Sequence, residues 1–112
     1  MNLILKTRNV EVPEPLAHDI ERRVRLVLGR FGRKIAHVTV RFADVNGTRG
    51  GVDKLCRVEA RVWGRLPLAA EGVSDDLRVA AVSAVDRIGR VVERAVGRRF
   101  NSPKDLPFRN PA

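Results

Sequence analysis

Apolar and polar positions alternate, or recur at helical spacing, in six successive stretches of the chain. Asn2 to Arg8 reads as a strand, with Leu3 and Leu5 on one face and Lys6 and Arg8 on the other, although Ile4 breaks the alternation. From Glu14 to Phe31, Leu16, Ile20, Val24, Val27, Leu28 and Phe31 fall on one helical face. Pro13 and Pro15 suit a helix start, and Gly29 and Gly32 weaken its last turn. Ala36 to Ala43 alternates as a strand, Val38, Val40 and Phe42 inward and Thr39 and Arg41 outward. Lys54 to Trp63 alternates again, with Cys56, Val58, Ala60 and Val62 inward and Arg57, Glu59, Arg61 and Trp63 outward. A turn at Gly64 to Pro67 leads to a short fourth strand, Leu68 to Glu71. Trp63, the single tryptophan, is expected to pack at the rim, since one aromatic makes no stacking platform.

The longest periodic stretch, Ser74 to Arg99, carries two stripes. Leu77, Ala81, Ala84, Ile88, Val91, Val92 and Ala95 form the apolar one. Arg87, Arg90, Arg94 and Arg98 recur at the same spacing and form a second stripe beside it. Ser74 is the expected N-cap, and Asp75 and Asp76 suit the positive end of the helix dipole. Asn101 and Pro103 stop the helix.

The order β-α-β-β-β-α predicts an α+β two-layer sandwich. A four-stranded mixed sheet carries two helices on one face, as in double-stranded-RNA-binding domains, and its other face stays wet. Residues 1–100 are read as one domain, and 101–112 as a proline-spaced, flexible tail. The long connection from Asp44 to Asp53 holds Asn46-Gly47 and Gly50-Gly51, which are turn formers. Its glycines match neither a P-loop, which needs Gly-Lys-Ser/Thr opening a helix, nor a KH clamp, which joins two helices.

Charge changes the picture. The chain of 112 residues has 22 Lys and Arg against 13 Asp and Glu, a formal net charge of +9. Only Lys6, Lys34, Lys54 and Lys104 are lysine. Codon preference can exchange lysine for arginine but cannot create the excess of positive charge. Such a domain is expected to meet a polyanion, nucleic acid first and acidic membrane second. No apolar run has the length of a membrane span, no signal-peptide core opens the chain, and Cys56 is alone, so a reducing cytoplasm is the expected compartment. His18 and His37 stand apart from any nucleophile, and adjacent Asp75 and Asp76 point away from each other on a helix. The reading is therefore a non-enzyme with no cofactor, no metal and no small-molecule substrate. The arginine stripe lacks the interleaved acids of a helix built for salt bridges, and guanidinium forks suit phosphate.

Three stretches resemble a known family. They are Arg8-Asn9-Val10-Glu11-Val12 with Leu16, the run Asp44 to Val58, and Asp76-Leu77 followed by Asp86-Arg87-Ile88-x-Arg90. Over about residues 1 to 100 they are similar to the hibernation-promoting factor and ribosome-associated inhibitor A family, once labelled sigma-54 modulation proteins. The resemblance implies a cytoplasmic protein that binds the small ribosomal subunit through rRNA in the mRNA and tRNA channel, stopping translation under stress. It implies RNA contacts at Arg87, Arg90, Arg94 and Arg98 of the last helix, at Arg23 of the first, and at Arg33. Long members carry a second domain that pairs ribosomes, for which this chain is too short, so a monomer off the ribosome is expected. Two other readings stay open: a generic module for structured RNA, and a basic protein-interaction module. Because the tail lacks apolar period, deleting it from Ser102 should change Tm little in a thermal melt. A fall of about ten degrees or more would mean that it docks on the core.

Overall fold

A computed structural model of the chain describes residues 1–45 and 53–97. The elements are β1 (Asn2–Arg8), α1 (Glu14–Leu28), β2 (Ile35–Asp44), β3 (Lys54–Val62), β4 (Leu68–Ser74) and α2 (Leu77–Val92). A 3-10 turn, Gly29–Phe31, extends α1, and a π-helical turn, Glu93–Gly97, extends α2. The sheet order is β1-β2-β3-β4, with β1 parallel to β2 and the other pairs antiparallel. This is the predicted mixed sheet in an α+β sandwich. The expected tail and the glycine-bearing loop lie outside the described residues.

Inward residues of the strands meet both helices in one core. Val38, Val40, Phe42, Cys56, Val58 and Ala60 are at most 1% exposed, as are Ile20, Val24 and Leu28 of α1. Thr39 on the opposite face is also buried, so the centre of that face is drier than predicted. Its register neighbours there are Ile4 and Glu59.

The start of α2 differs from the expectation. Strand β4 runs on to Ser74, and the N-cap is Asp76, whose Oδ1 accepts from the amides of Arg78 at 2.8 Å and Val79 at 3.4 Å. Ser74 Oγ instead accepts from the Asp76 amide at 3.1 Å and braces the cap. A carboxylate makes as good a cap as a hydroxyl, and the pairing of β4 through Ser74 leaves the place to Asp76. The buried arc of α2 is also wider than the predicted stripe. Ala80, Val85 and Val96 are buried along with Ala81, Ala84, Ile88 and Val92, whereas Leu77, Val91 and Ala95 are half-buried.

Two glycines set where α2 lies. A Cβ on Gly72 would run into the Ala80 carbonyl oxygen and stand 2.8 Å from the Ala84 amide nitrogen. A Cβ on Gly89 would strike the Val27 side chain. Helix α2 therefore rests on bare backbone at β4 and on α1 at Gly89. The expectation is that Gly72→Ala costs about 2–3 kcal/mol, roughly 10–20 °C in Tm, because backbone must move. Gly89→Ala should cost less, since a side chain can yield and alanine recovers about 1 kcal/mol of helix propensity. Thermal melts showing the reverse order would contradict this packing.

Candidate nucleic-acid interface

At 100° per residue, α2 divides into a core arc and two polar flanks. One flank carries Arg78, Asp86 and Glu93 and turns toward α1. There Arg78 Nη1 donates to Asp19 Oδ2 at 3.0 Å, and Arg30 Nη2 to Glu93 Oε2 at 2.7 Å. Between them Arg23 grips Asp86 with both Nε and Nη2, at 3.1 and 3.0 Å. The α2 carboxylates are thus taken up by arginines of α1 and its 3-10 extension. Sequence reasoning left Arg23 for RNA, whereas the structure gives it a bidentate partner within the fold.

The other flank carries Arg87, Arg90 and Arg94 and overhangs the outer edge of β4. Arg87 Nη1 donates to the Glu71 carbonyl oxygen at 2.9 Å, which fixes its base and occupies one acceptor of the open edge. The side chains of Arg90 and Arg94 are exposed and engage no hydrogen bond or ion pair among the described residues. Both predicted positions therefore offer free guanidinium groups. Arg98 lies outside the described residues. Arg33 is exposed just past the end of α1, at the far end from the α2 cap, and does not border this edge.

A cleft joins this flank to the open sheet face around the edge of β4. Arg87, Arg90, Val91 and Arg94 line it with Ala69, Glu71 and Arg57. Sequence reasoning set Arg57 on the open sheet face, apart from the helix stripe. The register pairs Arg57 with Glu71, and β4 is the last strand, so both residues reach the edge. Only the strand order reveals this. Arg57 donates to Glu71 at 2.9 Å and to Glu59 at 3.2 Å. Its hydrogen bond, opposed by partial burial and aided by Arg41, holds the Glu59 carboxyl below its ordinary pKa. The carboxylates keep Arg57 in place, and the cleft remains cationic because Arg87, Arg90 and Arg94 outnumber Glu71.

Charge is also divided lengthwise. The end holding the helix starts and the base of the long loop carries Glu11, Glu14, Asp44, Asp53, Asp75 and Asp76. Lys54 closes that loop base, donating to Asp53 at 3.0 Å and Asp44 at 3.3 Å. Asp53, with Asp44 adding to it against some desolvation, holds the Lys54 pKa above its ordinary value. The opposite end carries Arg30, Arg33, Lys34, Arg61, Arg65 and Arg94, with Glu93 as the acid among them.

Among the described residues no group of three or more His, Cys, Asp or Glu is placed to hold a metal, and no helix is long and apolar enough to cross a membrane. Exposed His18 approaches Glu14 at 3.9 Å. Trp63 is not packed at the rim as expected: it is 68% exposed.

Arg23 and Arg90 should separate in a stability assay. Arg23→Gln is expected to cost about 1 kcal/mol, the upper range for a half-exposed but bidentate pair, and to do so only while Asp86 is present. Arg90→Gln should stay within about 0.5 kcal/mol of wild type. Equal losses in denaturant melts would mean that Arg90 has a partner in the fold.

The fold recurs in solved structures of low sequence identity. A ribosomal subunit interface protein from Coxiella burnetii superposes with a TM-score of 0.70 at 13% identity, covering 87% of this chain and 99% of that one. The N-terminal domain of Thermus thermophilus Protein Y gives 0.65 at 20% identity, covering 85% and 99%. The sequence matches none of the curated proteins. The family model described as sigma 54 modulation protein / S30EA ribosomal protein matches residues 3–99, and the chain belongs to that family.

Proposed function

We propose that this protein is a ribosome hibernation factor that inhibits translation by binding the small subunit through rRNA in the channel for mRNA and tRNA, under stress or in stationary phase. The observation that carries the reading is the pair of guanidinium groups, Arg90 and Arg94, that have no partner among the described residues and stand on the cationic cleft at the edge of β4. Family membership supports a ribosomal partner, and one of the two similar structures is named a ribosomal subunit interface protein. A monomer acting in the cytoplasm, with no chemistry of its own, meets the needs of this role.

The cleft suits a phosphate backbone for three reasons. Guanidinium forks bind phosphate oxygens bidentately. Arg87, Arg90 and Arg94 span about 10 Å along the helix at 1.5 Å per residue, enough to follow more than one phosphate. Because the neighbouring carboxylates Asp86 and Glu93 are neutralised toward α1, little negative charge opposes an incoming polyanion. Arg87 keeps an anchored role at the wall of the cleft, Arg33 would extend the cationic track at the same end of the molecule, and Arg98 is proposed as a further RNA contact. In this reading Arg23 contributes by holding Asp86 away from the RNA as well as through its own charge.

Cosedimentation with small subunits at low and high salt tests the proposal. Arg90→Gln with Arg94→Gln should weaken binding and flatten the slope of log affinity against log salt by about 0.7–0.9 per lost phosphate contact. Arg8→Gln, at the acidic end, is the control and should matter less. Unchanged binding by the double variant, with loss at Arg8, would move the RNA to the other end and overturn this site. Binding that resists high salt would mean that something other than charge neutralisation holds the complex, and would overturn the phosphate reading.

A further inference from the structure

Trp63 stands where a buried-core account has no use for it. It follows β3 in the turn that Gly64 closes with a φ of +74°, and Leu66 beside it is 85% exposed. The indole N–H donates to no group among the described residues. A large aromatic surface left in water costs free energy and stays without compensation in the isolated protein.

Its surroundings say what could cover it. The Trp63 amide donates to the Lys34 carbonyl oxygen at 2.9 Å, so the turn is fastened beside Arg33 and Lys34. The Arg65 amide donates to the Val62 carbonyl oxygen at 3.2 Å, keeping Arg65 in the same turn. Arg61, two residues before Trp63 and on the same side of β3, is exposed and registers opposite His37. Arg33, Arg61 and Arg65 engage no carboxylate among the described residues. The indole therefore sits inside the cationic end of the molecule, where Glu93 is held by Arg30 and Glu59 by Arg57 and Arg41. A hydrophobic protein partner would have to leave these guanidinium groups desolvated. A nucleic acid supplies both complements at once, phosphates for the arginines and a flat base for the indole.

We propose that Trp63 is a nucleobase-stacking site, in which an unpaired base of RNA lies on the indole while Arg33, Arg61 and Arg65 take the flanking phosphates. This rests on the reading of the protein as an rRNA binder. It adds to that reading a site at the β3–β4 turn and a preference for an unstacked, single-stranded nucleotide there. It also gives the complex an orientation, with the cationic end leading and the acidic end outward.

Because the chain has one tryptophan, its fluorescence reports on this position alone. The probes are decaadenylate and an abasic ten-residue ribose-phosphate strand of equal charge, titrated into wild type, Trp63→Leu and Trp63→Phe. Decaadenylate should quench the wild-type emission and the abasic strand should not. Trp63→Leu should lose roughly 5- to 150-fold in affinity for decaadenylate and nothing for the abasic strand, and Trp63→Phe should restore part of the loss. Equal affinities for the two strands without quenching would overturn the stacking site. So would a Trp63→Leu variant that loses small subunits in cosedimentation while binding decaadenylate like wild type, since Trp63 would then be docking on protein. In either case wild-type cosedimentation with small subunits would still stand, so failure of the stacking site is distinct from failure of the ribosomal reading.

Discussion

The close seat of α2 on β4 at Gly72 is the constraint from which the rest follows. With no side chain at that point, the helix backbone comes down onto strand backbone and brings Ala80, Ala81 and Ala84 into the core. Gly89 repeats the device against α1. Between these two approaches the helix has no freedom to roll. Its acidic flank is committed to α1, and its arginine flank is committed to the edge of β4. A roll of even one residue's width would carry Asp86 and Glu93 off Arg23 and Arg30, and Arg90 and Arg94 off the cleft at β4. The electrostatics of the surface are therefore a consequence of packing in the core.

This sorting also resolves an apparent conflict in the composition. A chain with a net charge of +9 contains plenty of acid, and each acid could in principle silence an arginine. Asp19, Asp86 and Glu93 are spent between the helices, and Glu59 and Glu71 hold Arg57 and Arg41 on the sheet. Among the described residues, most cations left without partners gather beside β4 and at one end, with Lys6 and Arg8 of β1 apart from them. Exposed ion pairs stabilise little, so their greater effect here is to decide which charges remain available.

Much of the fold was legible in the residues. β1 spans the residues that read as a strand, and the strand order follows from one crossover, one long hairpin loop and one short turn. The cap was missed by two residues because Ser74 and Asp76 both make good caps, and only the extra pairing of β4 decides between them. Helical period revealed the arginine stripe on α2 but could not say which members were engaged, since the partners of Arg23 and Arg87 lie 63 and 16 residues away. The place of Arg57 in the cleft depended on β4 being the outer strand and on the Arg57–Glu71 register, and neither is written in a local pattern. The exposure of Trp63 likewise hangs on a turn whose neighbours come from the far side of α1.

Directed cleavage of rRNA from chosen points on the protein tests the central claim most directly. Cys56 is fully buried, and burial pushes its thiol up to about 12, so a thiol-reactive iron chelate will pass it by and label a new cysteine. The chelate would be placed in the cleft through Ala69→Cys, and at the acidic end through Val79→Cys, with each protein bound to small subunits. Hydroxyl radicals from position 69 should cut small-subunit rRNA strongly at a few clustered sites, and those from position 79 should cut it weakly. Strong cleavage from position 79 with none from position 69 would contradict the account, for the RNA would then face the side of the molecule where the acids are.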